Sequence, residues 1–279
     1  MSRLKPALLS CALLLSLMAS AAQSARAQAV APAPKPAGIH ARVTEIEVNS
    51  SVPDDPAVEK MLQAYARKVR ALNEVIGKLK GDLKKGGIGA GSMGNLVADA
   101  LRDRAQVKLG KPVLLAIVNS GGLRKNAIAE GELTAGDIFE LLPFENALVT
   151  VDLTGEQLRR FLDVVMKHRD AQSGARITFR TNDKKENIIE SVKLGNAANE
   201  FEIDPKVNYT IATIDYLVKR GGDYSILQEG KNLQQINVTM RDAVLDYVKS
   251  ETSAGRPIKA TLDGRFRSDK PQTDTEQPQ

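Results

Sequence analysis

Cysteine is all but missing from these 279 residues, and its one copy, Cys11, lies in an N-terminal apolar run. A lone thiol builds neither a disulfide framework nor a cysteine metal centre. Tryptophan is absent, and histidine occurs only at His40 and His168. No Asp-x-His or Gly-Asn-His block is present, so the chain offers no ligand set for a two-metal site. It equally lacks a Ser-His-Asp or Cys-His constellation, and Asp99, Asp137 and Asp223 have no such partners to make them general bases. We therefore assign no catalytic residue, no metal ligand and no cofactor to this chain.

Long hydrophobic stretches are also scarce. The one run, Ala7 to Ala22, follows Arg3 and Lys5 and precedes Ala25-Arg26-Ala27, the pattern of a cleavable signal peptide over residues 1–27. It is interrupted by serines and is short for a retained membrane anchor. The expectation is an exported protein, periplasmic or secreted, cut near Ala27, with no stable membrane anchor. Arg3, Lys5 and Arg26 are removed with it and no acid is, which takes the formal charge from +5 to +2. The basic balance thus belongs largely to the leader, and a nucleic-acid polymer is not an expected partner. Lys80, Lys84 and Lys85 read as a solvated helix end.

Residues 28–40 are rich in Ala and Pro, a stiff tether. The folded unit is expected over 41–267, with a disordered tail at 268–279 that contains no large apolar residue. Residues 41–48 alternate like an edge strand. Asp55 and Pro56 open a helix whose stripe Val58, Met61, Leu62, Tyr65, Val69, Leu72, Val75, Ile76 and Leu79 is expected to be buried. Gly86, Gly87, Gly89 and Gly91 form a flexible loop before a helix from Met93 to about Val107, with Asp99, Arg102, Asp103 and Arg104 on a solvated face.

Val113 to Val118 reads as a buried strand ending in the polar loop of Asn119, Gly121-Gly122 and Arg124, where glycine permits positive φ and close approach of a ligand. Thr134 with Asp137, and Thr154 with Gln157, have capping-box spacing. The first helix ends at Pro143, leaving Phe144 on a loop; on composition alone that ring packs into the core. The second helix, from Gly155, ends near His168. Strands follow at Arg176–Arg180, Ile188–Leu194 and Tyr209–Ile214. The last runs into Tyr216, Gly221-Gly222 and Asp223, repeating the pattern of the Asn119 loop. A helix from Asn237 or Thr239 and a closing strand from Ile258 to Phe266 complete an α/β fold, a layered mixed sheet with helices and no fixed-period repeat.

Met93-Gly94-Asn95-Leu96-x-x-Asp99-Ala100, Asn119-x-Gly121-Gly122-x-Arg124, Leu142-Pro143-Phe144 and Gly221-Gly222-Asp223 occur in the order and spacing that resemble the C-terminal domain of the 5′-nucleotidase family, from about Val43 to Phe266. The resemblance implies a single substrate-recognition domain that stacks a nucleobase between Phe144 and Tyr216. Asn119 would then touch the base, Arg124 the ribose or phosphate side, and Asp223 the ribose hydroxyls of a nucleotide or nucleoside. It also implies a metallophosphatase domain, absent from this sequence. The chain then contributes to phosphate-ester hydrolysis in nucleotide catabolism with a separate metallophosphatase chain, which carries the divalent metals. Ile88-Gly89-Ala90-Gly91 replaces the charged residue usual before the Met-Gly-Asn block. Tyr224 replaces the usual glycine after Asp223, and Lys219-Arg220 replaces smaller groups, changes expected to narrow or recharge the pocket. These departures also fit a competing reading, a structural or protein-interaction domain whose pocket has decayed.

Overall fold

Threonine capping explains two of the best-defined corners of the chain. The computed structural model describes residues 43–196 and 198–269; the leader and tether expected over 1–40 lie outside these. From Asp55 onward the described elements are, in order, α1 (Pro56–Leu72), β1 (Val75–Lys80), β2 (Leu83–Lys84), α2 (Gly91–Leu109), β3 (Leu115–Val118), β4 (Ala127–Ile128), β5 (Gly131–Thr134), α3 (Ala135–Leu141) and β6 (Ala147–Thr154). There follow α4 (Gly155–His168), β7 (Ala171–Ser173), β8 (Ala175–Thr181), β9 (Asn187–Asn196), β10 (Asn199–Glu202), β11 (Asn208–Ile214), α5 (Asp215–Arg220), β12 (Lys231–Thr239), α6 (Met240–Ser253), β13 (Ile258–Lys259) and β14 (Phe266–Ser268).

Both capping boxes form: Thr134 with Asp137 opens α3, and Thr154 with Gln157 opens α4. Each satisfies amides that a helix start leaves free, worth about 1 kcal/mol. Leu158, Phe161, Leu162, Val165 and Met166 of α4 are all buried, as their spacing requires. The central sheet has the order β12-β6-β11-β3-β7. β3 lies parallel to β11, whereas β6 and β7 run antiparallel to their neighbours β11 and β3. α2 packs on β3 and β7, and α4 on β6 and β11. A second sheet, β10-β9-β8-β14, and a third, β13-β1-β5, flank it. The described residues thus form the layered, mixed α/β architecture expected.

Several expectations fail. Residues 43–48 form no strand and are exposed; alternation alone makes no strand without an edge to pair with. The first helix stops at Leu72 rather than Leu79, because Val75 and Leu79 pair instead with β5 and β13. β-branched residues followed by Gly77 favour a strand here over a sixth turn of helix. The part of the stripe on α1 is not buried, whereas Ile76 and Leu79, on β1, are. The closing strand splits at the Asp263-Gly264 turn, so that Ile258–Lys259 joins β1 and Phe266–Ser268 joins β8. Ser268 therefore belongs to the sheet rather than to a tail.

Charges expected in solvent are engaged as well. Arg265 forks onto Asp99 at 2.9 and 3.0 Å, and Arg102 Nε donates to the Val113 carbonyl at 3.1 Å. Lys80 and Lys84 lie on strands, not a helix end.

The glycine-rich stretch is open at Gly86 and Gly87 but closely packed at Gly89 and Gly91, where a Cβ would stand 2.5 Å from Phe266 and from the Lys84 carbonyl oxygen. A Cβ on Gly94 would stand 1.9 Å from the Gly89 carbonyl oxygen, so backbone meets backbone at the start of α2. Gly94→Ala is expected to cost about 3 kcal/mol, at the upper end of overpacking effects. Gly121→Ala, whose new methyl meets nothing nearer than 3.6 Å, is expected to stay within about 0.5 kcal/mol of wild type. Urea unfolding of the two variants checks the difference.

Candidate functional site

Strand register brings four loops to one end of the central sheet. Ile214 pairs with Leu148, Ala212 with Ala116, and Val118 with Ala171. The chain therefore leaves β3 at Asn119 and β11 at Asp215, and enters β6 just after Phe144 and β7 just after Asp170, all on that side. Asp215 reinforces the arrangement by accepting from the Ala147 amide at 3.0 Å.

Phe144 is 45% exposed and Tyr216 44%, so neither ring is core. The Phe144 loop is held from behind. Arg241 donates to the Leu142 and Pro143 carbonyls at 3.4 and 3.5 Å, pairs with Glu145, and lies 4.1 Å from the centroid of the Phe139 ring. The Arg124 amide donates to the Leu141 carbonyl at 2.8 Å, and its guanidinium sits 5.8 Å from the Phe144 centroid. Asn119 is 8% exposed, and its Oδ1 is buried with no partner. Gly121 and Gly122 are not among the positive-φ residues, contrary to expectation, and lie on a 3-10 turn from Ser120. A Cβ on Gly122 would stand 3.3 Å from Asn119 Oδ1, a tight contact that would press on that side chain. Gly221 and Gly222 do take φ of 67° and 60°, where glycine carries little strain.

Asp223 is engaged. Lys167 Nζ and His168 Nε2 each lie 2.8 Å from its Oδ2. The Lys167 hydrogen bond, then that of His168, holds this exposed carboxyl below its usual range. Tyr224 does not enter the opening as expected: it is 2% exposed, stacks on His168 at 5.2 Å, and donates its hydroxyl to Asp170 Oδ2 at 2.6 Å. Burial, then the Asp170 hydrogen bond, raises the phenol pKa. Asp170 Oδ1 accepts from the Ser120 amide at 3.0 Å, so one buried carboxyl ties the β3 loop to the Gly221-Gly222 loop. Its own pKa is raised by burial, against the pull of those two bonds. Lys219 pairs with Asp215, while Arg220 lies 5.9 Å from the Tyr216 centroid and 5.2 Å from that of Tyr224.

Three contributors escaped the sequence reading. Lys85 reaches the Leu123 carbonyl at 2.8 Å, and burial followed by the charge of Arg124 lowers its pKa, placing two cations at one rim. Asp170 and Arg241 are the others. A separate polar cleft of about 380 Å³ is lined by Asn95, Asp99, Tyr247, Glu251, Arg256 and Arg265 among others, and by none of the five residues singled out in the sequence. Its charges already pair with each other, Arg265 with Asp99 and Asp263 and Arg256 with Glu251, which leaves little to recruit an ionic ligand. Among the described residues no group of three His, Cys, Asp or Glu side chains is placed to hold a metal ion, and no helix is long and apolar enough to cross a membrane.

The fold and this loop cluster define a mixed α/β domain that gathers aromatic rings, an amide and cations at one sheet end. Residues 75–229 match the family model described as the 5′-nucleotidase C-terminal domain, and the chain belongs to that family. The match starts at β1, so α1 lies outside it. A 5′-nucleotidase of Vibrio parahaemolyticus is 25% identical over 216 residues, 74% of this chain and 36% of that protein. The trifunctional nucleotide phosphoesterase protein YfkN of Bacillus subtilis is 25% identical over 184 residues, 63% of this chain but 12% of its own length. The 5′-nucleotidase precursor from Thermus thermophilus superposes with a TM-score of 0.63 at 25% identity, covering 79% of this chain and 45% of that one. This chain thus spans less than half the length of these relatives.

A depressed acid contributes stability that is present above its unfolded pKa and lost as pH falls through its folded value. Asp223→Asn is therefore expected to lower the melting temperature at neutral pH, with the gap to wild type closing below about pH 4. Thermal melts of both proteins from pH 7 to pH 2.5 check it.

Proposed function

We propose that this domain binds a nucleoside or nucleoside 5′-phosphate at the loop end of the central sheet. The base stacks between Phe144 and Tyr216, Asn119 offers its amide to the base edge, and Asp223 accepts from the ribose hydroxyls. Arg124 and Lys85 take the phosphate side, where a planar guanidinium fork suits two phosphate oxygens. The observation that carries this reading is the buried, unpartnered Oδ1 of Asn119 at the sheet end that also exposes both rings. An unsatisfied buried acceptor costs about 1–3 kcal/mol, and a ligand donor relieves it. The Asp223 bonds run to Oδ2, which leaves Oδ1 for a diol.

Every group in this set binds; none is arranged to cut. We assign phosphate-ester hydrolysis to a separate metallophosphatase chain, so that this protein contributes recognition to nucleotide catabolism. The leader read in residues 1–27 assigns that work to the periplasm or the exterior.

Base–aromatic stacking contributes about 1–3 kcal/mol per base. Phe144→Ala and Tyr216→Ala are each expected to weaken AMP about 5- to 150-fold in isothermal titration calorimetry. Lys85→Ala with Arg124→Ala is expected to weaken AMP much more than adenosine, because adenosine lacks the phosphate. No heat from AMP or adenosine with wild-type protein, or affinities that both ring variants leave unchanged, would refute this assignment and favour a domain whose pocket has decayed.

A further inference from the structure

The face of α1 has a shape and charge order that no described element answers. Val58, Met61, Leu62, Tyr65 and Val69 form one stripe, and each is close to half exposed or more. Burying such a stripe is the usual source of a helix's stability in water. At its C-terminal end the stripe runs into an apolar groove of about 410 Å³ between α1, α3 and α6, lined by Val69, Leu72, Ala135, Phe139 and Leu245 and rimmed by Lys68 and by Lys249, which pairs with Glu74 at 3.0 Å. The helix is also polar end to end. Asp54, the capping residue Asp55 and Glu59 outnumber Lys60 at its start, and Arg67, Lys68 and Arg70 lie at its finish.

We propose that α1 is a self-complementary interface that pairs antiparallel with α1 of a second copy of this chain. Tyr65 lies midway in sequence between Val58 and Leu72, so a twofold axis at Tyr65 sets Val58 of each copy against Leu72 of the other, and Met61 against Val69. That is the isologous arrangement of the commonest protein dimers. It brings Glu59 of one copy to Arg70 of the other, twice. It also delivers the acidic first turn of each helix towards Lys68 at the opposite groove. Parallel pairing would stack acid on acid and base on base, which specificity disfavours. A helix of this length, about 25 Å, presents more than three turns to its partner. The stripe and the groove include none of Asn119, Arg124, Phe144, Tyr216 and Asp223.

Sedimentation equilibrium of the full chain is the test. Twice the single-chain mass is expected at about 100 µM protein, a range suited to a micromolar association. Tyr65→Asp is expected to give a monomer that melts with the wild type at dilutions where the wild type is also monomeric, since α1 has no buried residue to lose. Glu59→Lys and Arg70→Glu are each expected to weaken the dimer at least about tenfold, and together to restore it. In a Cys11→Ala background, mild oxidation of a Val58→Cys and Leu72→Cys mixture is expected to join the two variants to each other, with little product from either alone. A monomeric wild type overturns the proposal, whether its face stays bare, is covered by residues 43–48, or binds anionic vesicles. A dimer that survives Tyr65→Asp, or Val58→Cys that joins to itself, overturns it too.

Discussion

The site depends on one buried carboxyl. Asp170 is 1% exposed and holds the Ser120 amide with one oxygen and the Tyr224 hydroxyl with the other. Those donors sit on loops that leave β3 and follow α5, so the clamp fixes the Asn119 loop against the Gly221-Gly222 loop. Hydrogen bonds to a charged group contribute about 1.5–3 kcal/mol each, enough to offset much of the desolvation that raises the acid's pKa. Tyr224 then carries His168 on its ring, and His168 with Lys167 grips Asp223. A chain of contacts thus runs from the interior to the carboxylate at the rim.

That chain gives a physical meaning to the departures from the family pattern. Tyr224, where the resemblance implies glycine, fills interior space instead of standing exposed. Arg220 lies within cation–π range of both Tyr216 and Tyr224, an attraction of about 0.5–2 kcal/mol that ties the ring at the surface to the ring beneath it. With glycine at Gly89 and Gly91, the approach to α2 carries no charge, whereas Lys85 stands beside Arg124.

What was readable in the sequence is what short-range physics decides. The capping boxes at Thr134 and Thr154, the buried strand before Asn119 and the stripe of α4 each involve residues within a few positions of one another. What was hidden depends on partners far along the chain. Asp170 meets groups 50 and 54 residues away, and Lys85 meets one 38 residues away. Nothing beside Asp170 in sequence signals either bond. Tyr224 did leave a trace, since Tyr224 and Leu227 share the three-residue spacing of a tight helical turn and both are buried. The stripe of α1 misled for the opposite reason: periodicity reports which face is apolar and says nothing of whether this chain covers it.

The account stands on two rings from distant loops serving one ligand. Proton NMR titration with AMP tests that most directly, because a base stacked between two rings shifts the ring protons of both by ring currents. The expected result is that Phe144 and Tyr216 resonances, assigned from the Phe144→Leu and Tyr216→Leu variants, move together and saturate at one AMP per chain. Movement of one ring alone, or saturation of the two at different AMP concentrations, would contradict it.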